Sequence, residues 1–200
     1  MIKKIFQKKV TIDDVDLNID QYSYQGEHDG IKVWHTEQGD ALGLYFFDMP
    51  PDLSGNIGDL TKLFSFYEEK LSGIGGQIVE LECKMIDGAN AIIFLIKVPQ
   101  ESSGVMYIVA FPIPYKTFSF VVKAQCQECG DAGIKEAILL NRILKNGSAT
   151  GTPYLDAPEY DEGFSNHPVA RARKISKNIA MGLNISDDIK KHEPFWKERS

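Results

Sequence analysis

The chain is poor in the residues that most often carry chemistry. It has three cysteines, Cys83, Cys126 and Cys129, and four scattered histidines, His28, His35, His167 and His192. A structural zinc needs four ligands. Cys126-x-x-Cys129 is a single close pair with no second pair to complete it. Redox use of such a pair calls for a helix N-terminus after a parallel crossover. Cys129 does lie just before a predicted helix, but the pair follows a strand of an antiparallel meander. Reduced cysteines that bind no metal and form no bridge are the expectation.

Other signatures are missing as well. Gly163-Phe164-Ser165-Asn166 lacks the second glycine of a nucleophile elbow, and neither a phosphate-binding Walker sequence nor His-Glu-x-x-His occurs. Gly73-Ile74-Gly75-Gly76 follows a helix, whereas a phosphate loop precedes one. No cofactor is expected. Apolar runs such as Ala91–Ile96 are far too short to cross a bilayer. The stretch Met1–Lys9 is basic but has no apolar segment behind it, which reads as a cytoplasmic protein.

Basic residues are almost absent from Asp13 to Asp48, where nine acids face one lysine, Lys32. The net charge of −6 therefore hides a gradient: residues 1–167 carry −10 and residues 168–200 carry +4. The acidic body disfavours nucleic acid and permits a basic protein partner. A surface that only maintains solubility accounts for it equally well.

What is present is a scaffold. At 200 residues, 43% hydrophobic and 25% charged, the chain can bury a core without disulfides or metals. Residues 31–35 and 42–47 flank a Gly39 turn and read as a hairpin that ends at Pro50-Pro51. Leu60, Leu63, Phe64, Tyr67 and Leu71 recur at helical spacing, so the pattern predicts a helix over 58–72 with Phe64 packed on a sheet. Strands are predicted over 78–86, 90–98, 105–113 and 117–125. They pair consecutively because Asp87-Gly88 and Ser103-Gly104 leave no room for a crossover. A helix over 132–144 with Ile134, Ala137, Ile138, Leu140, Ile143 and Leu144 on its apolar face follows. The fold class is α+β, an antiparallel meander sheet with helices packed on it.

The predicted organisation is a core domain over 1–147, then 148–200 as a linker, a basic helix that begins at Asn166 or His167 with Pro168 in its first turn and ends near Gly182, and a charged tail. Candidate partner-binding residues are the acids Asp14, Asp16, Asp29 and Asp40, the helix cations Arg171, Arg173 and Lys174, and Trp196 in the tail. The helix cations also suit a solvated face, or ion pairs with the acidic stretch 156–162. Trp196 either packs back or anchors a partner.

The order hairpin, helix, four-stranded meander, helix resembles the PsbP-like superfamily, which includes DcrB-like bacterial proteins and the effector-binding Eag chaperones. The resemblance covers residues 30–146 and rests on that order, on Ile96-Lys97-Val98-Pro99 through Tyr107, and on Phe118–Lys123. It implies a mostly non-enzymatic protein that works by binding other proteins, and it carries over no catalytic residue. The expected function is a cytoplasmic protein-binding module, an immunity protein or an adaptor or chaperone for a secreted bacterial toxin, with a basic toxin or effector as partner and neither nucleic acid nor membrane. A small enzyme with its site between sheet and N-terminal hairpin is the alternative, and a purely structural subunit is a third reading.

Overall fold

Alternation and turn chemistry build the sheet strand by strand. The computed structural model describes residues 9–19, 21–53, 59–101, 104–128, 130, 132–145 and 154–195. In chain order these form β1 (Val15–Leu17), β2 (Ser23–His28), β3 (Ile31–His35), β4 (Ala41–Phe47), α1 (Leu60–Ser72), β5 (Gln77–Ile86), β6 (Ala89–Pro99), β7 (Val105–Pro114), β8 (Ser119–Gln127), α2 (Ile134–Lys145), α3 (Pro168–Gly182), β9 (Leu183–Ile185) and α4 (Asp187–Lys190). The fold is α+β.

Seven strands form one antiparallel sheet in the order β2-β3-β4-β8-β7-β6-β5. The meander pairs consecutively, as its short turns require. Asp87 (φ 46°) and Gly88 (φ 78°) both take the left-handed conformation that a two-residue hairpin demands. The β3–β4 hairpin closes through Thr36 and Asp40, with Gly39 at φ 83°. β2, which the sequence reading did not assign, adds an edge strand to it. The hairpin joins the meander through β4 and β8, from Ala41↔Gln125 to Phe47↔Ser119. Pro112 and Pro114 lie in β7 beyond Ala110, where β7 has parted from β6, so their missing N–H groups leave no ladder bond to β6 unmade.

The two faces of the sheet differ. One carries the main core, in which Tyr107, Phe111, Phe120, Val122 and Leu44 are fully buried. Val169, Ala172, Ile175 and Ile179 of α3 belong to that same core, together with Val15, Leu183, Ile185 and Ile189. The predicted division at 147 is therefore not a division of the core, because α3 packs on β7 and β8. β9 then pairs with β1 from the other end of the chain. Gly182 makes that approach possible, since a Cβ there would stand 2.3 Å from the Asn18 carbonyl oxygen.

α1 covers only part of the opposite face. Asp59 caps it by accepting a hydrogen bond from the Lys62 N–H. Its buried residue is Leu63, packed with Ile92 and Phe94, and the Tyr67 ring meets Phe94 at 4.6 Å. Phe64, expected against the sheet, is 38% exposed. The apolar stripe of α1 is wider than the strip that touches β5 and β6, and Phe64 falls on its outer edge. Phe195 of the tail packs at the margin of this cluster. Trp196 lies outside the described residues, as do Ser103, Cys129 and the 148–153 part of the predicted linker.

Candidate functional site

Four of the eight predicted partner-binding residues point into the protein. Asp14 is buried, accepts a hydrogen bond from the Thr11 N–H at 2.9 Å, and lies 3.4 Å from the Ser186 hydroxyl. Asp40 is buried and pairs with Arg171. Arg171 also donates to the Gln127 and Asn166 carbonyls. Arg173 is buried and spends its guanidinium on Glu80 (2.5 Å), Asp161 (2.7 Å) and the Asp156 carbonyl oxygen. Asp40, Arg171 and Arg173 hold α3 on the sheet, and Asp14 is spent on the N-terminal turn and Ser186. Asp16, Asp29 and Lys174 are exposed. The alternative reading of the helix cations, pairing with the acidic stretch 156–162, fits Arg173.

The structure assembles a polar cluster that the sequence did not announce. Its centre is Asp156, 7% exposed, in the irregular segment before α3. The Tyr107 hydroxyl donates to its Oδ1 at 2.7 Å, Lys135 Nζ reaches the same oxygen at 3.2 Å, and Lys97 Nζ reaches Oδ2 at 3.1 Å. Burial alone would raise the Asp156 carboxyl. The hydrogen bond from Tyr107 and the two ammonium groups outweigh it and hold the group below the usual carboxylate range. Burial, reinforced by the adjacent Asp156 carboxylate, drives the Tyr107 phenol far up.

Beside this cluster stands His167, the N-cap of α3. Its Nδ1 accepts from the Val169 N–H at 3.3 Å, and its ring stacks edge-on against Tyr107 at 5.8 Å. Burial pushes its pKa down to about 4, with Lys135 as the next contributor. Nε2 faces Glu136 Oε1 at 3.6 Å, and both atoms are buried without a hydrogen-bond partner. Glu128 completes the group. An open cleft of about 360 Å³ adjoins it, lined by Glu128, Ile134, Lys135, Phe164, Asn166 and His167. No spacing in the sequence joins Glu128, Glu136 and His167. The one local signal was His167 next to Pro168, which marks a helix start.

The third feature is α2 itself. It buries Lys135 and Leu139 and turns outward the face that carries Ile134, Ile138, Leu140 and Leu144, which are 50%, 39%, 39% and 71% exposed. Lys135 faces inward because Asp156 waits there.

No protein-family model matches the chain, and no curated protein does. Solved structures are similar in outline. Cyanobacterial PsbP from Synechocystis is 10% identical, with 89% of this chain and 90% of that one covered and a TM-score of 0.41. LpqN of Mycobacterium tuberculosis, involved in cell envelope biogenesis, is 15% identical, with 66% and 78% covered and a TM-score of 0.34. A Pseudomonas aeruginosa protein of unknown function is 9% identical, with 76% and 89% covered and a TM-score of 0.34. At these values no residue's role transfers.

Proposed function

We propose that the chain is a non-catalytic protein-binding module and that α2 is its docking element. The observation that carries this reading is the outward apolar face of α2. Four large aliphatic side chains within eleven positions are exposed, and two of them, Leu140 and Leu144, line a shallow groove with Ala137 and Asn141. A contiguous apolar patch on a surface helix marks an interaction site, because leaving it wet forgoes the free energy of burial. Arg142 and Lys145 give the patch a polar rim.

The narrower version of the reading is a cytoplasmic immunity protein, or an adaptor or chaperone for a secreted toxin, of the DcrB-like or Eag kind within the PsbP-like group. It rests on the resemblance in element order. A basic partner suits the exposed acids Asp13, Asp16, Glu27, Asp29 and Glu37, which sit away from the core. Charges of that kind speed association more than they tighten it. The same acidic body argues against nucleic acid and anionic membrane surfaces as partners.

The test uses the full chain as bait against the product of the neighbouring gene. Ile138→Asp combined with Leu144→Asp is expected to abolish capture while the circular dichroism spectrum stays unchanged. Capture that survives the pair of substitutions overturns the assignment to α2.

The second reading is a small enzyme with its site between sheet and N-terminal hairpin. The β3–β4 hairpin is itself part of the sheet, and a cleft of about 370 Å³ lies instead between its turn and α3, bordered by Tyr22, Glu37, Asp40, Asn166, Arg171 and Lys174. It is weaker, because its buried charges, Asp40 and Arg171, are spent on each other.

A further inference from the structure

Glu128, Glu136 and His167 come from three elements: the chain just past β8, the first turn of α2, and the N-cap of α3. Their ligand-type atoms all lie within 4.8 Å of one another. His167 has only 7% of its side chain exposed, and its Nε2 points at Glu136 Oε1, which is also buried and also without a hydrogen-bond partner. A buried polar pair held 3.6 Å apart, just beyond hydrogen-bonding distance, is a cost that native proteins seldom carry. We propose that Glu128, Glu136 and His167 form a zinc site that clamps α2 to α3 and to the end of β8.

One pair of the three already stands at the ion's ligand spacing. Two ligands each about 2.0–2.1 Å from zinc stand roughly 3.3–3.6 Å apart at tetrahedral to trigonal angles. The His167–Glu136 separation of 3.6 Å falls at that spacing. Glu128 is already oriented, since its oxygens accept the N–H groups of Gly133 (2.8 Å) and Val105 (3.1 Å). Each oxygen keeps a second lone pair for a metal. An imidazole with two carboxylates is a set that zinc accepts, and the cleft beside it leaves the fourth position to water.

Charge balance permits the ion. Glu128 and Glu136 bring two negative charges, while Asp156 is shared by Lys97 and Lys135. The Val169 N–H on Nδ1 places the neutral ring's proton on Nε2. Zinc on Nε2 requires the other neutral tautomer, with the proton on Nδ1, and so exchanges the Val169 bond, long at 3.3 Å, for a metal bond. The clamp also answers a structural need: α2 buries one leucine and one lysine and has little apolar anchorage of its own.

The experiment is zinc titration calorimetry on the full chain, stripped with chelator and kept reduced at pH 7.5. One zinc per chain is expected. Glu136→Gln, nearly isosteric, and His167→Asn, which keeps an N-cap oxygen while removing the ring, should each weaken binding at least ~10-fold, the smaller effect expected even of supporting residues. Zinc should raise the Tm of the parent chain and not of either variant. Cobalt should show ligand-field bands without thiolate charge transfer, and Cys83→Ser with Cys129→Ser should leave affinity unchanged. No uptake at ~100-fold molar excess of zinc, full affinity in both variants, or loss of binding in the cysteine variant would each overturn the proposal.

Discussion

Asp40 and Arg171, 131 residues apart in the chain, meet in a two-pronged ion pair, with Nε to Oδ2 at 2.9 Å and the second guanidinium nitrogen to Oδ1 at 3.0 Å. Asp40 is 4% exposed. The pair ties the β3–β4 turn to α3 and lies over the end of β8, where Arg171 also reaches the Gln127 carbonyl. Removing one partner strands a buried charge, so Asp40→Asn or Arg171→Ala should each cost about 3–5 kcal/mol. Urea unfolding of the two single variants and the double variant checks this. The double variant should lose far less than the sum. Strict additivity would mean that the pair is not coupled.

The acidic surface separates in the same way. Asp16→Lys with Asp29→Lys should leave stability within about 0.5 kcal/mol per site, since both are exposed. Asp14→Lys should unfold the N-terminal turn, because Asp14 is buried and caps Thr11. Thermal melts of the two sets distinguish them.

On α1, Leu63→Ala should cost about 2–5 kcal/mol, through lost transfer energy and the cavity left beneath Ile92 and Phe94. Phe64→Ala, one position on, should cost under about 1 kcal/mol, as its ring is 38% exposed. Equal losses in denaturant unfolding would show that both side chains support the core.

His167 makes stability depend on pH. Its pKa falls from the ordinary 6.5 to about 4 on folding. The unfolded chain therefore binds the proton first, and stability is full above pH 6.5 and declines as pH falls towards 4. The loss attributable to this ring is about 2–3 kcal/mol. Asp156, held low by Tyr107, Lys97 and Lys135, adds its own loss at lower pH as it protonates. Unfolding free energies from pH 7.5 to 4 should show the decline, and His167→Asn should remove the upper part of it. An unchanged profile in that variant would place the titration elsewhere.

Gly182→Ala tests the contact between β1 and the end of α3. The added Cβ meets the Asn18 carbonyl at 2.3 Å, and Asn18 N–H already donates to the Gly182 oxygen at 2.8 Å. Relief requires the backbone to part, so a loss of about 1–3 kcal/mol is expected. Hydrogen exchange should show it first at the β1–β9 pair.

The β3–β4 hairpin, the meander, α1 and α3 were legible in the residues themselves, because each rests on local chemistry. Gly39 and Asp87-Gly88 accept the left-handed turn, Val79 to Met85 alternate, and Pro168 suits a first helical turn. Which way each element faces was not local. Leu63 and Phe64 are neighbours of equal apolarity, and only the seat of α1 on β5 and β6 decides which is buried. The apolar stripe of α2 was plain from its spacing, but Asp156, brought in by the segment before α3, draws Lys135 inside and turns the stripe outward. The charged residues show the same limit. Asp14, Asp40, Arg171 and Arg173 read as surface groups because a charge in isolation belongs in water. Tertiary structure supplied each with a partner distant in sequence or an inward-facing backbone group, and that pairing makes burial tolerable. Glu128, Glu136 and His167 meet only because β8, α2 and α3 converge at one end of the central strand, a placement set by the packing of α3 on β7 and β8.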